Sequence, residues 1–265
     1  MVDESNVMTV RLDAPETGGN GIRYSAYSSQ GGRESQQDSL FVGEKEDALL
    51  AAVCDGMGGM NGGERAGETA IRLLTEAFFG SSPESIPQFF RETALRMDEA
   101  VYSLEQDGKR LGAGTTVVSV IVKEEGIYWL SVGDSRIYLF RKGELLCPVP
   151  AHNYRLLLDQ MLQEGRITEE KYKSEEGKAE ALISFLGLGG ITRMEINRNP
   201  FLPEHGDQIL LCSDGLYKSL SDRRILEVLS MSMSPEVKAR TLVNSALEAG
   251  GKNQDNTSVI LIEIS

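Results

Sequence analysis

The sequence is poor in the residues that bind soft metals or build disulfides. Its 265 residues include two histidines, His152 and His205, and three cysteines, Cys54, Cys147 and Cys212. Two histidines are too few for a histidine-rich metal centre. Three scattered cysteines among apolar neighbours read as small core residues, not as a disulfide framework or a zinc site. Runs of basic residues are also missing, and Asp plus Glu outnumber Lys plus Arg by 40 to 27, a formal net charge of −13. That balance excludes a protein that grips nucleic acid or an anionic membrane by charge. No apolar stretch reaches the roughly 18 residues of a membrane-spanning helix. The opening MVDESNVMTVRLDAPETGGN lacks the basic region and apolar stretch of a signal peptide, so the expected location is the cytoplasm. Neither an internal repeat nor a Pro-rich linker occurs, and no Gly-rich nucleotide cradle followed by Lys-Ser or Lys-Thr.

Periodic apolar residues are present, at 40% of the chain. Residues 1–21 read as an N-terminal tail and 22–265 as a single domain. Strands are expected at 22–28, 39–42 and 48–54, the last a run, ALLAAVC, buried on both faces and stopped by Asp55-Gly56. Helical periods cover 64–79 and 86–105. Three β-rich blocks follow at 115–123, 127–132 and 136–141, read as a meander of hairpins turning at Glu125-Gly126 and Lys142-Gly143. Residues 154–181 are helical in patches. Strands are expected at 192–197 and 208–212, then helices opening at Ser221 and at Ser234-Pro235, and a last strand at 257–264. Strict βαβα alternation is absent, which points to mainly antiparallel sheets stacked and covered by helices.

Five aspartates mark the ends of these apolar runs: Asp38, Asp55, Asp134, Asp214 and Asp255. Asp-Gly, Asp-Ser and Asp-Asn are turn formers, which accounts for any one of them. Five at strand ends have a second reading. Gathered in one cleft, they repel one another, and a cation relieves the repulsion. An all-oxygen donor set selects a hard ion such as Mg²⁺ or Mn²⁺.

Six motifs carry a family resemblance: RESQQDS at 33–39, VCDGMGGMNGGERAGETA at 53–70, GAGTT at 112–116, VGDSRIY at 132–138, GDQILLCSDGL at 206–216 and QDNTSVILI at 254–262. In this order they resemble the metal-dependent protein phosphatases of the PP2C (PPM) type, bacterial serine/threonine branch, from about residue 24 to 264. The resemblance implies an α+β fold, a four-layer αββα sandwich with two mainly antiparallel sheets flanked by helix pairs, and a flap at about 151–190. It implies hydrolysis of phosphoserine and phosphothreonine in proteins by a water activated between two Mn²⁺ or Mg²⁺ ions, with no phosphoenzyme. Asp55 would bridge the ions and the Gly56 carbonyl would bind one. Asp214 and Asp255 would complete the shell, and Asp38 would hold metal-bound water. Asp134 would take a weaker third ion, and Arg33 would bind the substrate phosphate. The partners implied are phosphorylated proteins and a bacterial-type Ser/Thr kinase, with no nucleic acid, no membrane span and a monomeric chain.

The pattern departs from the family in places. Gln37 stands where many relatives have Glu, and Gln36 where many have Asn. Met57 replaces the histidine of the DGHGG branch, which leaves a metal-bound water as the candidate general acid. Ala151-His152 stands where relatives often read Asp-His, and His152 is expected to be a flap or surface residue. Arg155, Arg166, Lys171 and Lys173 fit solvated helix faces better than substrate contacts. Two other functions share the motifs: a pseudophosphatase that binds phosphoproteins, and a phosphatase of small metabolites.

Overall fold

Two apolar runs, ALLAAVC at 48–54 and SVILIEI at 258–264, form interior strands of two stacked antiparallel sheets in this computed structural model. It describes residues 21–59 and 62–265; the tail expected at 1–21 lies, Gly21 apart, outside them. In chain order the elements are β1 (Ile22–Ser29), β2 (Asp38–Lys45), β3 (Ala48–Met57), α1 (Gly62–Gly80), α2 (Ile86–Tyr102), β4 (Glu105–Gln106), β5 (Lys109–Arg110), β6 (Gly114–Thr115), β7 (Val117–Lys123), β8 (Gly126–Val132), β9 (Arg136–Arg141) and β10 (Glu144–Leu146). Then come α3 (Tyr154–Gln163), α4 (Glu169–Glu175), β11 (Glu195–Ile196), β12 (Gln208–Cys212), α5 (Asp214–Tyr217), α6 (Asp222–Leu229), α7 (Pro235–Gly250) and β13 (Thr257–Ile264).

One sheet runs β1-β13-β12-β9-β10 and the other β11-β8-β7-β3-β2, with β6 added to the end of β3. The alternation of side chains along each strand assigns the layers. Leu49, Ala51 and Val53 meet Ile209, Ile260 and Ile262 in a core between the sheets. Leu50, Ala52 and Cys54, on the opposite face of β3, pack under α1 and α2 against Ala66, Leu74, Phe90 and Met97. On the other side, Val259 and Leu261 of β13 pack under α6 and α7 against Val228, Leu242 and Ala246. Strands buried on both faces are continuous apolar runs for this reason. The helix starts follow the capping rules: the side chains of Ser85, Thr168, Ser221 and Ser234 accept backbone N–H groups of their first turns. The result is the expected four-layer αββα sandwich.

Four local expectations change. β3 does not stop at Asp55-Gly56 but runs on to Met57, because Gly56 and Met57 pair with Thr115 and Gly114 of β6. The three β blocks are not one meander. β7 and β8 pair, and β9 pairs with β10 and β12 in the other sheet, so Gly133 to Ser135 crosses from one sheet to the other. α2 ends at Tyr102, where Leu104 N–H turns back to the Val101 carbonyl at 3.1 Å. The strand at 192–197 shrinks to the two residues of β11.

The segment expected as a flap carries α3 and α4, and its charges are largely paired within itself. Arg155 bonds Glu180 at 3.0 Å, Arg166 bonds Glu164 at 3.0 Å and Lys171 bonds Glu175 at 2.5 Å; Lys173 is exposed. The solvated-face reading describes all four. No helix among the described residues is long and apolar enough to cross a membrane.

Candidate active site

β2 and β3 begin and end at the same edge of the sandwich. Their register sets Asp38 directly opposite Asp55. The sheet-to-sheet crossing after β8 delivers Asp134 to that edge, the β12–α5 junction delivers Asp214, and the approach to β13 delivers Asp255. All five aspartates named from the sequence are therefore electrostatic neighbours: Asp38, Asp214 and Asp134 raise the pKa of Asp55, and Asp214 and Asp255 raise that of Asp38. Arg33 enters from the β1–β2 loop and donates to Asp255 Oδ2 at 2.5 Å. A cleft of about 620 Å³ opens here, lined by Arg33, Glu34, Gln37, Asp55, Gly56 and Asp255 among others.

Backbone contacts fix this edge. The Asp55 carbonyl accepts from Thr116 N at 2.9 Å and from Thr115 Oγ1 at 3.0 Å, and Asp55 N donates to Thr116 Oγ1 at 3.0 Å. This gives GAGTT its local reason. Gly56 N donates to the Gln37 carbonyl at 3.1 Å. A Cβ at Gly56 would stand 2.2 Å from the Gly63 carbonyl oxygen, so only glycine lets α1 approach β3 so closely. The β1–β2 loop is pressed against 252–256 equally tightly. A Cβ on Gly32 would lie 2.1 Å from the Lys252 carbonyl oxygen.

The sequence reading missed Asn256, the residue that ties this loop down. Its Oδ1 accepts from Gln37 N at 2.8 Å, and its Nδ2 donates to the Gln30 and Ser35 carbonyls at 2.8 and 3.0 Å. The signal was a polar side chain between Asp255 and a fully apolar strand. Gln37 donates Nε2 to the Gly58 carbonyl at 3.1 Å, a bond that a carboxylate could not make.

His152 is not on the surface. It is fully buried, donates its backbone N–H to the Gly133 carbonyl at 2.8 Å and accepts the Gly133 N–H on Nδ1 at 3.2 Å. It thus clamps the crossing that carries Asp134. Nδ1 accepts, so the neutral ring carries its proton on Nε2, 3.8 Å from Glu195 Oε1, too far for a hydrogen bond. Burial lowers its pKa, against a smaller opposing pull from Glu195. The unfolded chain then takes up this proton before the folded protein does. The resulting stability is present above about pH 6.5 and lost as pH falls from there through the lowered folded value. His152→Asn, which keeps an acceptor near Nδ1, is expected to lose less of its urea midpoint than the parent between pH 6.5 and 5. Equal losses would show that the ring titrates normally.

Electrostatics distinguish the acids. Asp38 is buried. Its Oδ2 accepts from Ser213 Oγ at 2.7 Å, but its Oδ1 has no hydrogen-bond partner. Burial, with the charges of Asp214 and Asp255, pushes its pKa up to about 7. Burial, then Asp38, Asp214 and Asp134, raises Asp55 well above the carboxylate range, and burial, then Asp214, raises Asp134. Asp214 and Asp255 have basic partners instead: Lys218 Nζ lies 2.5 Å from Asp214 Oδ2, and Arg33 holds Asp255. Among the described residues no three acidic, His or Cys side chains are drawn together in ligating geometry.

The donor set nevertheless fits a hard divalent ion. Every candidate donor is oxygen, one buried carboxylate oxygen is orphaned, and the acids at the centre repel one another. It does not fit a thiol enzyme. Cys54 and Cys212 are buried among apolar side chains, and burial pushes both thiols far above neutrality.

An αββα sandwich with an acid-lined cleft at one sheet edge defines a class of metal-dependent hydrolases, and comparison with known proteins agrees. The family model described as Protein phosphatase 2C matches residues 27–249. The serine/threonine phosphatase stp of Listeria monocytogenes is 31% identical over 237 residues, 87% of this chain and 91% of that protein. The solved serine/threonine phosphatase of S. agalactiae superposes with a TM-score of 0.77 at 27% identity, over 92% of this chain and 100% of that one. The catalytic domain of the serine/threonine protein phosphatase PstP, solved with two manganese ions, superposes with a TM-score of 0.72 at 28% identity, over 91% of this chain and 97% of that one. The chain belongs to the protein phosphatase 2C family. It is an enzyme of the protein phosphatase class.

Proposed function

We propose that the chain is an Mn²⁺- or Mg²⁺-dependent protein serine/threonine phosphatase that hydrolyses phosphoserine and phosphothreonine directly. The observation that carries this reading is the pairing of Asp38 with Asp55 at a cleft mouth that also presents the guanidinium of Arg33. Asp55, the Gly56 carbonyl, Asp214 and Asp255 would hold two ions, Asp38 would orient water beside them, and Asp134 would offer a weaker third position. When bound, the ions supply a water of lowered pKa and neutralise charge on the phosphoryl oxygens. Arg33 binds the phosphate dianion through its planar fork once it leaves Asp255. Thr115 and Thr116 hold the Asp55 backbone still, and Asn256 fixes the loop that carries Arg33. With both buried thiols out of play, no covalent phosphoenzyme on cysteine is needed.

Residues 22–265 are taken as one catalytic domain, acting as a monomer in the cytoplasm on proteins phosphorylated by a bacterial-type Ser/Thr kinase. Turnover of p-nitrophenyl phosphate should require Mn²⁺ or Mg²⁺ and cease in EDTA. Full activity in EDTA, or none with any divalent ion, sinks the reading; the latter result defines a pseudophosphatase. A panel of phosphopeptides, nucleotides and sugar phosphates tests the substrate class, and preference for the small esters would overturn the protein assignment. Arg33→Ala is expected to raise KM about tenfold with kcat within a few-fold, since it removes phosphate binding common to ground and transition states. A pure fall in kcat would contradict that role.

A further inference from the structure

The sequence SDGLYK puts a lysine one helical turn after Asp214. Lys218 N–H donates to the Asp214 carbonyl at 2.9 Å, closing the turn at the end of α5. An i, i+4 pair on one helical turn shares a face, and Lys218 Nζ reaches Asp214 Oδ2 at 2.5 Å. The charge of Asp214 bears in turn on Asp134, which is buried on the sheet crossing. The charge of Lys218 therefore acts on Asp214, Asp134 and Asp55 together. Arg33 is bonded to Asp255 and its charge also reaches Asp214 and Asp55, but Lys218 is the cation that bears on Asp134 and is bonded to Asp214. A divalent ion entering that corner would meet an ammonium already paired with one of its two largely buried carboxylates, although the lysine side chain is itself 45% exposed, and like charges at close range repel.

We propose that Lys218 is a built-in cation of the Asp134–Asp214 corner: it sets how weakly this enzyme binds a third divalent ion, while the two central positions, which Asp55 and Asp255 also hold, still fill. The inference rests on the reading of this edge as a divalent-metal centre. It adds that occupancy at Asp134 is controlled by a side chain of this chain, which reaches the corner because the turn of α5 is one residue longer than the Asp-Gly-Leu motif itself.

The test counts ions. Mn²⁺ binding to the full chain is followed by calorimetry, with free Mn²⁺ read by EPR, for the parent, Lys218→Met, Lys218→Arg, Asp134→Asn and the Lys218→Met/Asp134→Asn double variant. Two ions are expected on the parent in the strongly bound range, and Asp134→Asn should leave that count unchanged. Lys218→Met should bring in a third ion at least tenfold tighter than any further binding to the parent. Lys218→Arg should behave as the parent, and the double variant should lose the gain. If Lys218→Met does not fold, Lys218→Gln carries the same expectation. Unchanged binding in the neutral variants overturns the proposal, as does a third ion that survives in the double variant. A parent that binds no Mn²⁺ overturns the metal-centre reading and this inference with it, whereas two parent ions with no effect at Lys218 overturn this inference alone.

Discussion

Asp55→Asn is expected to lower kcat/KM by about three orders of magnitude or more while raising the melting temperature of the metal-free protein. The two effects share one cause. Asp55 stands opposite Asp38 across the β2–β3 register, with Asp214 and Asp134 also bearing on it, and burial and these charges raise its pKa. A raised carboxylate contributes stability only while it is protonated: fully below its unfolded value, and progressively less as pH rises through the folded value. The metal-free cluster is therefore less stable at pH 8 than at pH 5.5. Asparagine keeps the shape and removes one charge. A gain of about 1–3 kcal/mol is expected, which for a chain of this size is roughly 2–10 °C. Mn²⁺ should reverse the order. A ligand at one hundred times its dissociation constant adds about 2.7 kcal/mol to the protein that binds it, so the parent should gain several degrees with Mn²⁺ and the variant little. Thermal melts at pH 8 and pH 5.5, with EDTA or Mn²⁺, give all of this, and in EDTA the gap between parent and variant should narrow at the lower pH. A metal-free variant that melts below the parent would mean that Asp55 is held by structural bonds and is not under charge strain.

The sequence made the acids legible because they interrupt apolar runs, and it made the layers legible because each run is buried on both faces. What it hid depends on partners far along the chain. Nothing near Asp55 says that its strand continues, since the extension exists only because β6 arrives 60 residues later with Gly114 and Thr115 free to pair. Nothing near Val132 says that the chain changes sheets there. All three β blocks read as strands, and the crossing is held by His152 gripping both polar backbone groups of Gly133. Asn256 and Lys218 stood in plain view beside motif residues. Their roles depend on which way the side chain turns, back under a loop in one case and onto a carboxylate one helical turn earlier in the other. Local pattern thus located the chemistry, and the non-local contacts supplied its support.

Asp98 provides the opposite case to Asp55, and Asp98→Ala is expected to be the most destabilising of these substitutions. It sits on α2 with 3% of its surface exposed, buried like Asp38 and Asp134, yet both of its oxygens are satisfied. Oδ1 accepts from Gly187 N at 2.7 Å and Gly189 N at 3.3 Å, and Oδ2 accepts from Gly190 N at 2.6 Å and Ile191 N at 3.2 Å. The segment it gathers has no regular structure of its own to occupy those donors. Gly187 and Gly189 adopt φ of +107° and +74°, and a Cβ on Gly189 would meet the Tyr102 ring at 2.6 Å, so the backbone is shaped to present its N–H groups inward. Leu186, just before it, exchanges two backbone bonds with Thr115, which in turn supports the Asp55 carbonyl. Alanine would leave four backbone donors without an acceptor. Each costs about 1–3 kcal/mol if it stays dry, and with water entering the gap a total of about 3–5 kcal/mol is expected. Asparagine offers one acceptor and turns an NH₂ toward donors, so it should recover less than half of that loss. Mn²⁺-dependent kcat of the folded fraction should stay within a few-fold, because Thr116 N and Thr115 Oγ1 still hold Asp55. Urea unfolding and initial rates on the same samples separate the two effects. A carboxylate crowded by like charges weakens the fold that carries it, and one surrounded by donors holds it together. Substituting Asp98 and Asp55 should therefore move stability in opposite directions, and a loss of stability of less than about 1 kcal/mol at Asp98 would show that the 187–191 segment is held by something else.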